Sequence, residues 1–276
     1  MSAPVSSSTP TLHLAQHVER SRLLSTMPWI RHGVTRRVAG LGRANGNVGY
    51  TAPRDEVDAW QMRKLWAHAM GIDPFDLVRV RQVHGNIVRV ATELDTERGT
   101  HPDATEAPIG DAMITSVPNV ALMTLHADCL AMFLVDPTHR VVGAVHAGWR
   151  STVQDIAGET VRAMAKTFGT RPEALIAYVG PSISAERYAV GDEVVDQWLA
   201  LENADQRACR RGEDSWWFDL KAANASRLIN AGVASSNIEI SSICTATDGE
   251  RWFSHRGQGP LTGRFAAIIS IAGDQR

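Results

Sequence analysis

Apolar and polar residues change rhythm several times along the chain, and the changes mark its elements. Between Asp55 and Met70 apolar positions recur at helical spacing (Val57, Trp60, Leu65, Trp66, Ala69) and Gly71 ends the run, which predicts a helix. Leu77-Val-Arg-Val-Arg-Gln-Val83 alternates with a period of two instead, the pattern of a half-buried strand, and Asn86 to Val90 continues it. The central third has another texture. Ala112 to Thr115, Val120 to Thr124, Leu130 to Val135 and Val141 to Val145 are short apolar runs divided by turn residues such as Pro118-Asn119 and Asp136-Pro137. Runs of this kind predict strands covered on both faces. Helical spacing returns from Thr152 to Phe168, stopped by Gly169, and again at Asp192 to Leu199 and Leu220 to Ala231. A strand-like start at Trp29, and Leu175 to Val179, Ile238 to Ile243 and Phe265 to Ile271, read as further strands. Ala91 to Gly110 reads as a polar surface loop.

Helices and strands that follow no regular βαβ rhythm predict an α+β fold with mixed or antiparallel sheets, not a doubly wound parallel one. Residues 1–27 are polar and predict a flexible tail; 28–276 show no repeat and no linker, which predicts a single domain. The Gly-rich stretch from Gly40 to Gly49 lacks the GxGxxG spacing of a dinucleotide site and predicts tight backbone turns.

Composition adds exclusions. A formal net charge of −2 gives no reason to expect nucleic acid or an anionic membrane as partner. No apolar run is long enough to span a bilayer. The three cysteines, Cys129, Cys209 and Cys244, are odd in number and contain no CxxC pair, so a reducing cytoplasm is expected instead of a disulfide framework. The first residues lack the basic and apolar regions of a signal peptide.

Reactive side chains fall where strands are predicted to end: Gln82-Val-His84-Gly85, His126-Ala-Asp128-Cys129 and Val145-His146-Ala-Gly148-Trp-Arg150. Imidazole and thiolate are preferred zinc donors, and three protein ligands with an open fourth position define a catalytic zinc site. On the residues alone two readings stand level: a metal site on His84, Cys129 and His146, and a Cys129–His146 nucleophile–base pair. The plain alternative is hydrogen-bonded histidines and a core cysteine.

Eight short motifs follow one another in a telling order: Gln-Val-His-Gly at 82–85, Gly-Asp-Ala at 110–112, Ala-Asp-Cys at 127–129, His-Ala-Gly-Trp-Arg at 146–150, Gly-Pro at 180–181, Cys-Thr at 244–245, Phe-Ser at 253–254 and Thr-Gly-Arg at 262–264. The order closely resembles that of the bacterial YfiH-type family, also labelled laccase-domain or polyphenol oxidoreductase proteins. The likeness runs from about Trp29 to the last strand. It implies stacked mixed β-sheets flanked by helices and a metal centre on His84, Cys129 and His146 that takes Zn²⁺, or else Cu²⁺. It also implies phosphorolysis of purine nucleosides (adenosine, inosine, guanosine and methylthioadenosine) together with adenosine deamination. Gly110, His126, Ser151 and Gly257 depart from the family's usual residues, which bears on substrate preference and on the phosphate-binding set.

Further candidates follow from that chemistry. Asp128 and Asp111 are candidates for proton transfer, although an Asp beside a metal ligand serves equally to orient its imidazole. The H-x-E motif of base deaminases is absent, since Ala147 and Gly148 follow His146. A planar guanidinium suits phosphate, which makes Arg150 the first candidate, ahead of Arg36, Arg256 and Arg264. Asn47 and Gln82 are candidates for ribose or purine. The expected partners are a purine nucleoside and phosphate, on a monomer or weak homodimer. Two rivals remain: a copper-dependent polyphenol oxidase, against which stands the lack of any His-x-His pair among ten histidines, and a Cys129–His146 hydrolase acting on a cell-wall precursor.

Overall fold

Alternation of side chains across extended backbone decides the architecture. The computed structural model describes residues 14–51 and 55–273. In chain order the strands are β1 (Ile30–Val34), β2 (Leu77–Arg79), β3 (Val88–Val90), β4 (Ala112–Thr115), β5 (Ala121–His126), β6 (Leu130–Asp136), β7 (Val141–Ala147), β8 (Ile176–Val179), β9 (Ala189–Val190), β10 (Cys209–Arg211), β11 (Trp216–Phe218), β12 (Ile238–Ile240) and β13 (Phe265–Ile271). The α-helices are α1 (Glu56–Ala69), α2 (Trp149–Val153), α3 (Ile156–Phe168), α4 (Asp192–Leu199), α5 (Leu220–Asn230) and α6 (His255–Gln258). The strands form a four-stranded sheet in the order β1-β13-β5-β2, a six-stranded sheet in the order β12-β8-β6-β7-β4-β3, and a small sheet in the order β10-β11-β9.

The two large sheets stack. Phe133 and Val135 of β6 meet Leu122 of β5 and Phe265 and Ile269 of β13 between them. The intervening residues of β6, Met132 and Leu134, point the other way, onto Ile156, Val161 and Met164 of α3 and Leu228 of α5. Met123 and Ile268 face outward from the four-stranded sheet and are covered by Met62, Trp66 and Ala67 of α1. The order is therefore helix, sheet, sheet, helix. Because both faces of β6, β7 and β13 are covered, all of their residues are buried, which is why these segments read as unbroken apolar runs. The expected α+β fold of mixed sheets flanked by helices is what forms. Among the described residues no helix is long and apolar enough to cross a membrane.

Several expectations are corrected. The described part of the expected tail, 14–27, is packed: Leu14, Val18 and Leu24 are buried, Glu19 and Val34 exchange main-chain hydrogen bonds, and the Glu239 carboxylate accepts from Ser21 Oγ at 2.6 Å and Leu23 N at 2.9 Å. Three widely spaced apolar residues are too few to show as a pattern. Residues 1–13 lie outside the described residues. In α1 the buried face centres on Met62 and Trp66, whereas Val57 is 66% exposed. The strand expected over 77–83 ends at Arg79, because the chain leaves the ladder to make the turn at 83–85. The expected surface loop 91–110 tucks Thr100 fully inside, where its carbonyl accepts from Tyr50 and Arg63. The small sheet was not foreseen; its strands are too short to show a period.

The helix expected over 152–168 is two helices, broken at Asp155. That residue has φ 60°, in the left-handed region, and caps α3 by accepting from Gly158 N. Its carboxylate also binds Arg227 at 2.7 Å and Arg162 at 2.6 Å. Burial pushes the carboxyl up, but the two guanidiniums outweigh it and hold it below its ordinary value. Such a group contributes stability that is present above the unfolded value, about 4, and that is lost as pH falls toward the lower folded value. Asp155→Asn is therefore expected to flatten the acid side of the stability profile. Denaturation midpoints from about pH 3 to 7 check this; an acid slope equal to the wild type's would remove the assignment.

Candidate metal centre

The site forms where the two large sheets meet at one end. β5 belongs to the four-stranded sheet and β6 to the six-stranded one, and the chain crosses between them through Ala127, Asp128 and Cys129. Cys129 thus stands on the seam. His146 lies near the end of β7, opposite Ala131 of β6. His84 sits on the turn after β2, with φ 61°. The donor atoms of the three lie within 4.8 Å of one another. Cys129 Sγ is 3.7 Å from His84 Nε2, and the two imidazoles meet edge to face with centroids 4.9 Å apart. The ligands expected from sequence are brought together.

Asp111, just ahead of β4, arranges them. Its carboxylate accepts from Val83 N at 3.2 Å, His84 N at 3.0 Å and Gly85 N at 2.8 Å, and from His146 Nδ1 at 2.9 Å. Holding Nδ1 leaves the opposite nitrogen of His146 free for the cluster, as outer partners of metal-binding imidazoles do. Burial pushes the Asp111 carboxyl up, yet the bonds from His146 and the main-chain N–H groups bring it below its ordinary value. The residue is fully buried and is not part of the cavity wall. Of the two roles open to Asp111, proton transfer and orientation of an imidazole, the geometry favours the second, because its acceptor positions are filled from within the protein.

Electrostatics reinforce the cluster. Burial alone raises the Cys129 thiol, but the adjacent His146 charge, with bonds from His146 and His84, brings it down to about 6. Burial alone lowers His146, and the thiolate together with Asp111 raises it to about 9. The two shifts are mutual, since thiolate and imidazolium each favour the charged form of the other against the cost of burial. His126, beside them, is a packing residue: it bonds Thr124 Oγ1 at 2.8 Å and Cys129 O at 3.2 Å, and stacks on Phe265. Burial, then the His146 charge, keeps it well below the ordinary histidine value and so neutral.

The residues fit a single ion of the zinc type. Two imidazoles and one thiolate are its preferred donors, one imidazole is held from behind, and space is reserved at Gly148. A Cβ built there would lie 2.8 Å from His84 Cδ2 and 3.0 Å from Cys129 Sγ. Only glycine lets the corner between β7 and α2 come so close to the ligands.

A cavity of about 640 Å³ opens over the cluster, within the range of small-molecule sites. Asp128 lines it, with its carboxylate accepting from Thr245 Oγ1 at 2.6 Å and Arg256 N at 2.8 Å. Arg150 lines it too, its guanidinium 4.1 Å over the Trp149 ring, as do Arg256, over Tyr188, and Arg264, which donates to Thr262 O and Gly263 O. Gln82 reaches the wall, but its amide pairs both main-chain groups of Leu125, at 2.7 and 2.9 Å, so its polar ends are consumed. Two expectations are corrected. Asn47 is buried away from the cavity, bridging Gly49 and Arg264 N as a turn residue. Arg36 is not on the wall; it pairs with Glu19 and lies over Trp252. Sequence reasoning missed Tyr50, Arg79, Arg81, Tyr188 and His255, which line the cavity. The signal for Arg79 and Arg81 was their shared face in an alternating strand.

The chain is similar to known proteins over most of its length. A family model described as multi-copper polyphenol oxidoreductase laccase matches residues 31–272. Purine nucleoside phosphorylase YlmD of Bacillus subtilis is 33% identical over 245 residues, covering 85% of this chain and 88% of the relative. Adenosine deaminase RL5, from an unknown prokaryotic organism, is 34% identical over 214 residues, 76% of this chain and 80% of the relative. The crystal structure of YlmD from Geobacillus stearothermophilus matches with a TM-score of 0.85 at 31% identity, covering 89% of this chain and 93% of that one.

The role given to Asp111 has a direct test. Asp111→Asn, which places an amide N–H among donors, is expected to weaken metal binding by about 10–100-fold, read by competition with a chromophoric chelator. Unchanged affinity would show that the imidazole is held by something else.

Proposed function

This chain belongs to the multi-copper polyphenol oxidoreductase laccase family, and on that footing we propose that it is a purine nucleoside phosphorylase that also deaminates adenosine. The observation that carries the reading is the convergence of His84, Cys129 and His146 at the floor of a cavity whose walls bear guanidinium groups. Relatives that span most of the chain bear both activities in their names. We take residues 14–273 as one catalytic unit. The described cysteines are free, as a reducing cytoplasm would keep them.

In phosphorolysis a phosphate oxygen bonds to C1′ of the ribose as the C1′–N9 bond breaks. The electron pair passes to the purine, which takes up a proton. In deamination water adds its oxygen to C6, and the C6–N6 bond breaks as the amino group takes up a proton and leaves as ammonia. His84, Cys129 and His146 would hold a zinc ion, which when bound would supply Lewis-acid polarisation and lower the pKa of a water. Asp111 keeps His146 in the tautomer and direction that the cluster needs. Asp128, unlike Asp111, stands on the cavity wall; Thr245 and Arg256 fix its orientation, and we assign the proton exchanges to it. Arg150, Arg256 and Arg264 bring positive charge to the cavity walls.

One observation favours a second reading. Cys129, His146 and Asp111 also line up as nucleophile, base and orienting carboxylate, the arrangement of a cysteine hydrolase. Stoichiometric metal in protein purified without chelator argues against that reading; rapid alkylation of Cys129 in the isolated chain argues for it. Copper-dependent polyphenol oxidation, which the family description names, would have to run on a single ion, since the described residues gather one such group of three. Oxygen uptake by copper-loaded protein measures it.

The main reading is tested by incubating metal-loaded protein with adenosine, with and without phosphate. Adenine and ribose 1-phosphate are expected when phosphate is present, and inosine in either case. Adenosine recovered unchanged from both incubations would reject the assignment.

A further inference from the structure

One end of the cavity is built unlike the other. Beyond Gln82 it is walled by Tyr50, Thr51, Arg79 and Arg81. The alternation of Leu77-Val-Arg-Val-Arg81 explains the pair of arginines. Val78 and Val80 turn into the core between the sheets, which puts Arg79 and Arg81 on the same side as Leu77, the side that packs on α1. From α1 the fully buried Arg63 reaches the same place, its guanidinium 3.8 Å over the Tyr50 ring.

A fully buried cation, Arg63, and a half-buried one, Arg79, therefore stand close together. Arg63 donates to the carbonyls of Val48 at 2.8 Å and Thr100 at 2.6 Å, and Arg79 to that of Gly99 at 3.0 Å. Among the described residues neither forms an ion pair with a carboxylate, and each keeps an enclosed N–H donor without a partner: Nη2 of Arg63 and Nε of Arg79. Burial, then the Arg79 charge, pushes Arg63 down to about 9, and burial lowers Arg79 as well. Tethering carbonyls does not call for charge; a neutral donor would do so without the cost of desolvating a cation. Unmet donors on buried cations beside a cavity call for an anion, and a guanidinium presents a phosphate with two parallel N–H groups.

We propose that the Tyr50–Arg79 end of the cavity is the subsite for free orthophosphate, with Arg63 behind Tyr50 adding a second positive charge and Arg81, which pairs with Glu106 at 3.3 Å, at its edge. This rests on the nucleoside phosphorylase reading above and says where its co-substrate binds. Arg79 and His84, five residues apart in the chain, line the same cavity. With the ribose toward Arg79 and the purine toward His84, one pose offers C1′ to the phosphate and C6 to the metal centre. Arg150 and Arg256, at the Trp149–Tyr188 end, then flank the base instead of the phosphate.

The test is calorimetric titration of the metal-loaded protein with inorganic phosphate, comparing wild type, Arg79→Gln, Arg79→Lys and Arg150→Ala, each with its melting temperature. Arg79→Gln is expected to weaken phosphate binding at least tenfold, to raise the phosphate KM in step, and to lower the ratio of phosphorolysis to deamination by a similar factor. Arg79→Lys, which keeps the charge without the fork, is expected to fall between and serves if the Gln variant folds poorly. Arg150→Ala is expected to bind phosphate as the wild type does. Equal phosphate affinity in wild type and both Arg79 variants would overturn the proposal. So would an Arg79-dependence seen with adenosine 5′-monophosphate and not with orthophosphate. Arg79-dependent phosphate binding without turnover of any nucleoside would uphold the subsite and sink the phosphorylase reading instead.

Discussion

A single carboxylate with four hydrogen-bond donors on it sets the geometry on which everything else depends. Asp111 ties the turn at 83–85 to the imidazole of His146, and its own main-chain carbonyl accepts from His146 N at 2.8 Å. Side chain and backbone of one residue thus fix two of the three ligands relative to one another. A buried charge is costly unless its lone pairs are filled; here they are filled by groups that themselves need aiming. The third ligand is fixed separately: the His126 ring bonds the Cys129 carbonyl, and Ile183 N bonds that of Asp128.

The layers behind the site give these bonds something rigid to act on. β5, β6 and β7 are covered on both faces, so their ends cannot shift without disturbing packing on two sides. A cysteine placed on the crossing between sheets, next to a histidine at the end of a strand paired with the next one, then falls into place without local sequence proximity. Charge follows the same division. The cluster brings a thiol and two imidazoles together, and the walls carry guanidiniums over aromatic rings, a surface suited to a flat base and an anion.

How much of this was legible in the chain depended on how local each cause is. Doubly covered strands announce themselves, because every position is apolar. The break at Asp155 did not: its left-handed backbone is held by Arg227, 72 residues away, and nothing in its neighbourhood signals that. Residues 14–27 escaped notice because their anchors are few and their strongest bond partner, Glu239, is remote. Asn47 and Arg36 were misread since a polar residue in a glycine-rich stretch, or in a basic cluster, looks the same whether it binds a ligand or its own backbone. Arg79 and Arg81 read as the outward half of a strand, and outward there means toward the cavity. The ligands were legible only through the ordered motifs; spacing by itself left a metal site and a nucleophile pair level.

Gly148 bears on how such a site can change over generations. A methyl group at Gly148 would crowd His84 and Cys129, so a change there disturbs the cluster itself. Descendants that accept a new nucleoside must redraw the facing walls around Tyr50 and Tyr188, where side chains still have freedom to grow or shrink. Selectivity and metal chemistry are thereby assigned to opposite sides of one chamber, free to evolve at different speeds.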